Sequence, residues 1–304
     1  MGSSVRVADN LERGKKEYLA EVLDCLEFLQ LDLTENEACR QACHGMEVIF
    51  HLASKVGGIG VYLNHPGEVM LCNVAMDTLM LRAALEAGCQ RYLYASSAHV
   101  YPLELQLSPD APAIKEEQAY PANPELSYGW AKLLAEKQIE YQIQEGAPLK
   151  AAIVRLVGVF GRHQDFDLAT GSAIPVFCRR AIEYPNRKPF TIWGTGEETR
   201  SYSYIDDVIE GMLLSVTKLG EVPLVGPINL GKEGRITIRQ LAEKVVALSG
   251  KPIEIEMDLS KPTIIYGQAV DCSQAKNVLE GWTAKTSLEE GLRQVYKHIQ
   301  GSLL

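Results

Sequence analysis

The sequence lacks several features that would place it in a specialised class of protein. It contains no uncharged apolar run of the roughly 18 residues that a membrane span requires, and its first residues lack the pattern of a secretory signal. Acidic residues outnumber basic ones by 39 to 30, which gives a net charge of −9. No overall positive field would therefore attract nucleic acid or anionic lipid. We expect a cytoplasmic protein that binds neither nucleic acid nor membranes.

Cysteine pairs are also missing. The 304 residues include seven cysteines, an odd number without a Cys-x-x-Cys pair, which favours reduced thiols over a disulfide framework. Cys39 and Cys43 could share one face of a helix, but no second pair of ligands lies nearby, and a structural zinc site needs four ligands. We predict no metal site.

Because 46% of the residues are hydrophobic and 23% are charged, the composition is that of a folded globular protein.

The first half of the chain alternates apolar strands with helices. The helical periodicity lies between these strands, at 35–44, 68–87 and 125–145. Runs of this kind, with amphipathic helices between them, are typical of parallel strands that helices cover on both faces. The predicted fold class is therefore α/β, a Rossmann-like doubly wound parallel sheet. The predicted strands are 5–8, 26–33, 47–53, 91–97 and 150–161.

After about residue 165 the sequence changes to segments interrupted by proline and glycine. Helices are predicted at about 237–249 and 287–300. We interpret residues 1–165 as the sheet-forming domain and residues 166–304 mainly as a smaller α/β lobe that is interleaved with the end of the sheet. A cleft between the two would bind the ligand.

The motif with the clearest chemistry is Tyr128-x-x-x-Lys132. At positions i and i+4 of a helix the phenol and the ammonium share one face. A neighbouring cation favours the phenolate, which makes Tyr128 a candidate general base. Ser97 ends a predicted strand, where its hydroxyl could hold a substrate hydroxyl or carbonyl. Since this spacing also occurs by chance in many helices, the surrounding motifs decide its meaning.

Six segments, including the one with this pair, occur in the order of a known family: 7–19 (VADNLERGKKEYL), 31–35 (LDLTE), 51–58 (HLASKVGG), 94–102 (YASSAHVYP), 127–132 (SYGWAK) and 193–208 (WGTGEETRSYSYIDDV). They resemble the extended short-chain dehydrogenase/reductase family, and within it the NAD-dependent nucleotide-sugar epimerases and dehydratases. KVGG at 55–58 is similar to GDP-L-fucose synthases, and SSAHVYP at 96–102 is similar to GDP-mannose 3,5-epimerases.

The resemblance implies that the first half holds NAD. Asp9 and Asn10 match the residues that bind the adenosine ribose, and a carboxylate there favours NAD over NADP by repelling a 2′-phosphate. Asp9 could instead be a turn or a helix cap, and Asn73 could be a polar contact inside a helix. The other matching positions are Asp32, Leu33, Leu52, Ala53, Ser54 and Asn73, together with Tyr128 and Lys132.

The resemblance also implies a nucleotide-diphosphate sugar as substrate, which is GDP-linked in the two subfamilies. Ser97, Tyr128 and Lys132 match the catalytic triad, and His99 is a further candidate for proton transfer. Arg200 matches a phosphate contact, although it could instead pair with Asp206 or Asp207. The positions that match the substrate side are Lys55, Gly57, Gly58, Ser97, Ser172, Arg179, Trp193 and Arg200.

One part of the family pattern is not found: the first strand and its Gly-x-x-Gly-x-x-Gly turn. Residues 5–8 match the second strand of the family. That turn normally brings backbone amides to the cofactor pyrophosphate, so NAD would lose its main anion site, and the sheet would have a gap between 5–8 and 47–53. Three explanations stay open: a truncated or misassigned start, a slot that another segment or subunit fills, or a decayed relative.

Two more positions differ from these subfamilies. Their acid/base cysteine falls at His99, and its lysine or histidine partner falls at Ser172. A histidine with an ordinary pKa of about 6.5 can move a proton, whereas an unaided serine is a poor acid or base. The sequence therefore favours Tyr128-dependent chemistry at carbon 4 over 3,5-epimerisation.

The sequence leaves two alternative functions open and predicts an oligomeric state. A catalytically impaired or truncated relative would bind a sugar nucleotide or a partner without turnover. A one-way reductase would require NADPH, against which Asp9 argues. The helices at 68–87 and 125–145 resemble the dimer interface of this family, which predicts a homodimer.

Overall fold

The structure, a computed structural model, describes residues 4–187, 189–261 and 265–303. The strands in these residues are β1 (Val5–Asp9), β2 (Leu26–Gln30), β3 (Val48–His51), β4 (Arg91–Ser97), β5 (Lys150–Leu156), β6 (Val159–Phe160), β7 (Phe190–Trp193), β8 (Thr199–Arg200), β9 (Ser203–Tyr204), β10 (Leu224–Leu230), β11 (Ile236–Thr237), β12 (Ile255–Asp258) and β13 (Gly267–Gln268). The α-helices are α1 (Asn36–Cys43), α2 (Ile59–Asn64), α3 (Pro66–Glu86), α4 (Ser127–Gln144), α5 (Ala173–Glu183), α6 (Ile205–Lys218), α7 (Ile238–Ser249), α8 (Ser273–Val278) and α9 (Leu288–Leu303). Short 3₁₀ helices lie at Lys16–Leu19, Leu23–Cys25, Ala98–Val100, Leu103–Gln106 and Glu116–Ala119.

Four parallel strands form the central sheet in the order β10–β5–β4–β3. β4 and β5 occupy its middle, and side chains on both of their faces, such as Tyr92, Leu93 and Ile153, are inaccessible to solvent. Parallel strands buried in this way form nearly continuous apolar runs in a sequence. This confirms the predicted α/β class with a parallel sheet.

Helices cover the two faces of this sheet. On one face α1, α3 and α4 enclose a core that includes Met80, Tyr92 and Ile139. On the other face α6 and α8 pack with β5 and β10 around Val154 and Trp282. The predicted helices at 35–44, 68–87 and 125–145 are thus present as α1, α3 and α4.

β1 and β2 form a separate parallel pair, which is not hydrogen-bonded to the central sheet. Over the described residues no strand lies between β1 and β3. β3 also leaves one face uncovered, since Val48 and Phe50 are 36% and 39% exposed and the following Leu52 is 55% exposed. An open slot with apolar side chains therefore stands where the strand order predicts a gap.

The second half of the chain builds its own core and also extends the sheet. α5, α7 and α9 pack with β7 around Phe190, Leu241 and Leu292, while β10 pairs with β5 in the central sheet. The boundary at residue 165 stays a prediction. Among the helices that the structure describes, none combines the length and the apolar character needed to cross a membrane.

The predicted strand at 150–161 is two strands, β5 and β6, because the chain turns at Gly158. This glycine has a φ of +49°, and a Cβ there would lie 2.0 Å from the carbonyl oxygen of Ser201. Only glycine fits such a close approach. The apolar character of the run hid this turn from the sequence analysis.

Candidate active site

Tyr128, Ser97 and Lys132 converge at the carboxyl edge of the sheet, where β4 ends and α4 begins. The Tyr128 hydroxyl lies close enough to the side chains of Ser97 and Ser54 for both to lower its pKa, and Lys132 Nζ lies 5.8 Å from the centroid of the Tyr128 ring. Gly129 allows this close packing, because a Cβ there would lie 2.0 Å from the carbonyl oxygen of His99. The spacing of Tyr128 and Lys132 thus brings both side chains to the end of the strand that carries Ser97.

Burial dominates the electrostatics of this pair. It raises the pKa of Tyr128 to about 12; polar interactions with Ser54 and Ser97 lower this pKa, and the negative charge of Asp77 raises it. Burial lowers the pKa of Lys132, while Asp77 raises it. Tyr128 therefore keeps its proton at neutral pH in the protein alone.

His99 lies beside this pair. Its ring centroid is 5.9 Å from that of Tyr128 and 6.1 Å from that of Tyr62. Burial and the positive charge of Arg200 lower the pKa of His99 to about 4, so the ring is neutral at pH 7. Its Nδ1 atom is buried and has no hydrogen-bond partner among the residues the structure describes. A buried polar atom of this kind is available to a ligand.

A cavity of about 1100 Å³ opens next to Ser54, between the end of β1, the end of β3 and the 163–172 loop. Four predicted cofactor positions are not among its lining residues: Leu52, Asn73, Tyr128 and Lys132. Leu52 is exposed beyond β3. The predicted binding residues that line the cavity are Asp9, Asn10, Asp32, Leu33, Ala53, Ser54, Lys55, Gly57 and Ser172. Most of the predicted cofactor residues thus face one space.

Asn73 lies in the protein interior and hydrogen-bonds to the segment of the cavity wall that contains Ser54 and Lys55. It is completely buried in α3, and its side-chain oxygen accepts hydrogen bonds from Ser54 Oγ at 2.6 Å and from the Lys55 amide at 2.9 Å. Its amide group donates to the carbonyls of Lys55 and Val69. Asn73 therefore fixes the segment that follows β3. Gly58 joins the same segment to the 163–172 loop, since its amide donates to the Thr170 carbonyl at 2.9 Å.

Asp9 and Asp32 each form a local turn at the cavity. Asp9 Oδ1 accepts a hydrogen bond from the Leu11 amide at 2.7 Å, and Asp32 Oδ1 accepts from the amide and hydroxyl of Thr34. The sequence offered two interpretations of Asp9, a cofactor-binding residue or a turn residue. In the structure Asp9 lines the cavity and also makes the turn.

Three predicted substrate contacts in the second half, Arg179, Trp193 and Arg200, are not among the residues that line this cavity. Arg179 bonds to Glu183 and to the Phe166 carbonyl, and Trp193 is 39% exposed. Arg200 donates to the carbonyls of Thr199 and Ile265, each at 2.8 Å. These contacts take the place of the ion pair with Asp206 or Asp207 that the sequence left open.

Sequence reasoning missed two groups of residues around the site. A buried cluster of His51, Asp77 and Tyr94 contacts Lys132. At the cavity mouth, Arg13 forms an ion pair with Asp165 at 2.7 Å. In the part of the chain that the structure describes, no three His, Cys, Asp or Glu side chains are placed to hold a metal ion.

Ligands of doubly wound parallel sheets bind at the carboxyl edge, and at that edge this chain has a tyrosine, a lysine and a serine. The comparison with known families is more specific. Residues 1–231 match the model of the NAD dependent epimerase/dehydratase family, so the chain belongs to this family and is an enzyme of this kind.

Individual relatives agree with this assignment. The chain is 31% identical to GDP-mannose 3,5-epimerase of Arabidopsis thaliana over 282 residues, which are 93% of this chain and 72% of that protein. It is 27% identical to GDP-L-fucose synthase 1 of the same plant over 250 residues, which are 80% of this chain and 74% of that protein. The family resemblance read from the motifs is thereby confirmed.

Solved structures share the fold. UDP-glucose 4-epimerase from Thermotoga maritima, solved with UDP-glucose, superposes with a TM-score of 0.85 at 24% identity and covers 100% of this chain and 93% of that chain. UDP-glucose 4-epimerase from Thermus thermophilus, solved with NAD, gives a TM-score of 0.83 at 22% identity and covers 98% of this chain and 91% of that chain.

Proposed function

We propose that this enzyme acts on a nucleotide-activated sugar and oxidises it transiently at carbon 4, with Tyr128 as the base that takes the proton of the 4-hydroxyl. The observation that supports this most is the convergence of Tyr128, Ser97 and Lys132 at the carboxyl edge of the sheet. Ligands of open α/β sheets bind at that edge. NAD, when bound, accepts a hydride from the sugar carbon and can return it.

Each residue of the convergence has a separate task. Ser97 aligns the sugar hydroxyl, and Tyr128 takes its proton in the phenolate form. The protein alone keeps Tyr128 protonated, and the positive charge of a bound nicotinamide ring would shift it towards the phenolate. Lys132 places a positive charge beside the Tyr128 ring, which favours the phenolate. With its pKa near 4, His99 is a weak base at pH 7, so its free Nδ1 would hydrogen-bond the sugar and assist steps next to carbon 4.

The cofactor would lie in the cavity beside these residues. We propose that Asp9, Asn10, Asp32, Leu33, Ala53 and Ser54 hold NAD, because their side chains or backbones line that space. Its volume of about 1100 Å³ is at the upper end of ligand pockets in general, as a dinucleotide requires. The Asp9 carboxylate at the end of β1 suits ribose hydroxyls better than a 2′-phosphate.

The proposed substrate is a nucleotide-diphosphate sugar, with GDP as the first nucleotide to test because relatives of the chain are named for GDP sugars. Lys55, Gly57 and Ser172 face the cavity on the substrate side, and Gly58, Arg179, Trp193 and Arg200 are the further proposed contacts. Ser172 Oγ accepts a hydrogen bond from Gln164 Nε2 at 2.8 Å, and among the described residues no basic side chain hydrogen-bonds to it. Reaction at carbon 4 alone is therefore favoured over 3,5-epimerisation.

The test follows a deuterium label from carbon 4 of GDP-mannose or UDP-glucose to enzyme-bound NAD. Tyr128→Phe should abolish this transfer and leave binding of the sugar nucleotide unchanged. Tyr141→Phe is the matched control, since Tyr141 lies on the same helix and is 58% exposed. Unchanged transfer in Tyr128→Phe would refute the assigned role.

A second candidate function is binding of a sugar nucleotide without turnover. The open slot between β1 and β3 favours it. A cofactor pyrophosphate binds to backbone amides at a helix N-terminus, whereas the described residues at this slot include the exposed apolar side chains of Val48 and Phe50. NAD content separates the two candidates. NAD released by denaturation after incubation with excess cofactor supports the enzyme, whereas a chain that retains none supports the binding protein.

A further inference from the structure

Asp77 is an acidic residue inside the protein that neither the family pattern nor the proposed reaction assigns to a task. It lies on α3 and is 2% exposed. Its Oδ1 atom is 2.8 Å from His51 Nε2, and its Oδ2 atom accepts a hydrogen bond from the Tyr94 hydroxyl at 2.6 Å. Elements that are distant in the sequence, β3 and β4, therefore direct their polar groups at one carboxylate.

This carboxylate is charged in spite of its burial. Burial by itself favours the protonated acid, but the Lys132 ammonium and the hydrogen bonds from His51 and Tyr94 oppose this and leave the pKa of Asp77 below its ordinary value. A buried charge is stable only when it is paired and hydrogen-bonded. Asp77 satisfies both conditions, with Lys132 Nζ 3.7 Å from its Oδ1 atom.

Lys132 depends on the same contact. It is 1% exposed, and within the described ranges its ion pair is the one with Asp77. Glu136, one turn further along α4, is already engaged by Arg155 at 2.7 Å. Burial lowers the pKa of Lys132, and Asp77 is the largest influence that raises it.

We propose that Asp77 is a positioning residue for the Tyr128–Lys132 pair, which holds the Lys132 ammonium at the tyrosine ring and determines how readily the pair releases a proton. This inference rests on the proposed role of Tyr128 in proton transfer. It adds that α3, which contributes no group to the reacting atoms, sets the pH range of the reaction.

The direction of the effect follows from the charges around the pair. His99 is neutral at pH 7, the surrounding tyrosines are uncharged, and Glu136 is compensated by Arg155. Asp77 is therefore the negative charge that retains a proton on the pair, and its removal should release that proton at lower pH. The titratable or charged groups that face Tyr128, Lys132 or Asp77 are His51, Tyr62, Tyr92, Tyr94, His99 and Glu136.

The decisive variant is Asp77→Asn in the full chain, because asparagine keeps the shape of the side chain and removes its charge. Phenolate formation at Tyr128 is measured as the ultraviolet absorbance difference between each protein and its Tyr128→Phe counterpart over a pH titration. We expect the Tyr128 transition to move to lower pH by about one unit. Glu86→Gln, at an exposed carboxylate on the same helix, should leave it unchanged. An unmoved transition in Asp77→Asn, or an equal shift in Glu86→Gln, would overturn the proposal.

The pH profile of deuterium transfer from sugar carbon 4 gives the second readout, and its acid limb should move with the phenolate transition. If no substrate is turned over, the proposed function fails, and the absorbance titration still decides the role of Asp77. If transfer occurs and its profile does not move, the role of Asp77 is refuted and the proposed function stands.

The double variant Asp77→Asn/Lys132→Met covers the case in which Asp77→Asn alone does not fold. It removes both buried charges, so it should fold and return the Tyr128 transition towards the wild-type pH. A double variant that does not fold, or one that folds with its Tyr128 transition about one unit below that of the wild type, contradicts the pairing on which the proposal depends.

Discussion

The ion pair between Arg155 and Glu136 gives a prediction that tests how α4 is held. Arg155 Nε and Nη2 donate to the two carboxylate oxygens of Glu136 at 3.0 and 2.7 Å, and both side chains are at most 2% exposed. Arg155 lies on β5 and Glu136 on α4, so the pair joins the helix that carries Tyr128 to the middle of the sheet. Burial lowers the pKa of Arg155, and the contact with Glu136 raises it above the ordinary value.

Glu136→Gln removes the negative charge and leaves the guanidinium buried without a counter-ion. Removing one partner of a buried ion pair costs about 3–5 kcal/mol of unfolding free energy. At about 2 °C per kcal/mol for a chain of this size, the melting temperature should fall by roughly 6–10 °C. Urea titration gives the unfolding free energy, and calorimetry gives the melting temperature.

Glu140→Gln is the control on the same helix. Glu140 pairs with Lys137 at 2.6 Å with both side chains partly accessible to solvent, and such i,i+3 pairs contribute about 0.5 kcal/mol or less. The two variants differ in how deeply the broken ion pair is buried. A cost below about 1 kcal/mol for Glu136→Gln, or one equal to that of Glu140→Gln, would show that burial does not make this pair costly to break.

Three further predictions concern pH, the cofactor and assembly. Burial and Arg200 lower the pKa of His99 from 6.5 to about 4, so between these values the unfolded chain binds a proton more readily than the folded protein does. The free energy of unfolding should therefore fall as the pH drops through this window. In urea titrations at pH 7 and pH 5, His99→Asn should lose the part of this fall that His99 causes. Asn73→Ala removes the hydrogen bonds that fix Ser54 and Lys55, so the NAD dissociation constant should rise at least about tenfold in fluorescence titrations, and an unchanged constant would contradict the supporting role of Asn73. Because Trp130 and Leu134 are 41% and 43% exposed on α4, light scattering should find the mass of two chains for the wild type and of one chain for Leu134→Glu; a monomeric wild type would contradict the homodimer.

Much of the sheet could be predicted because its strands are continuous apolar runs. β3, β4 and β5 lie within the predicted ranges. β1, which pairs with β2 outside this sheet, differs from its predicted range by one residue. β10 was missed, since Gly226 and Pro227 interrupt its apolar run and its register with β5 shifts between Val225 and Ile228. A pattern that depends on unbroken runs does not detect such a strand.

In the candidate site, residues close together in the sequence could be predicted, and residues brought together from distant elements could not. Tyr128 and Lys132 were predicted because their spacing on one helix is visible in the sequence. Asp77 was missed because its partners His51 and Lys132 come from β3 and α4. One signal was present: Asn73 and Asp77 are polar residues at i and i+4 on the buried face of α3, whose other buried residues are apolar.

The same signal is present in α4 over a longer distance. Tyr128, Lys132 and Glu136 follow one another at four-residue spacing and lie on one buried face of the helix. Each meets a different part of the protein: Tyr128 meets the end of β4, Lys132 meets Asp77 of α3, and Glu136 meets Arg155 of β5. Polar side chains on a buried helix face are costly unless each finds its partner, so three satisfied contacts along one face fix both the rotation and the axial position of α4. Because that position sets where the Tyr128 hydroxyl stands relative to Ser97, the two buried ion pairs determine the geometry of the reacting groups.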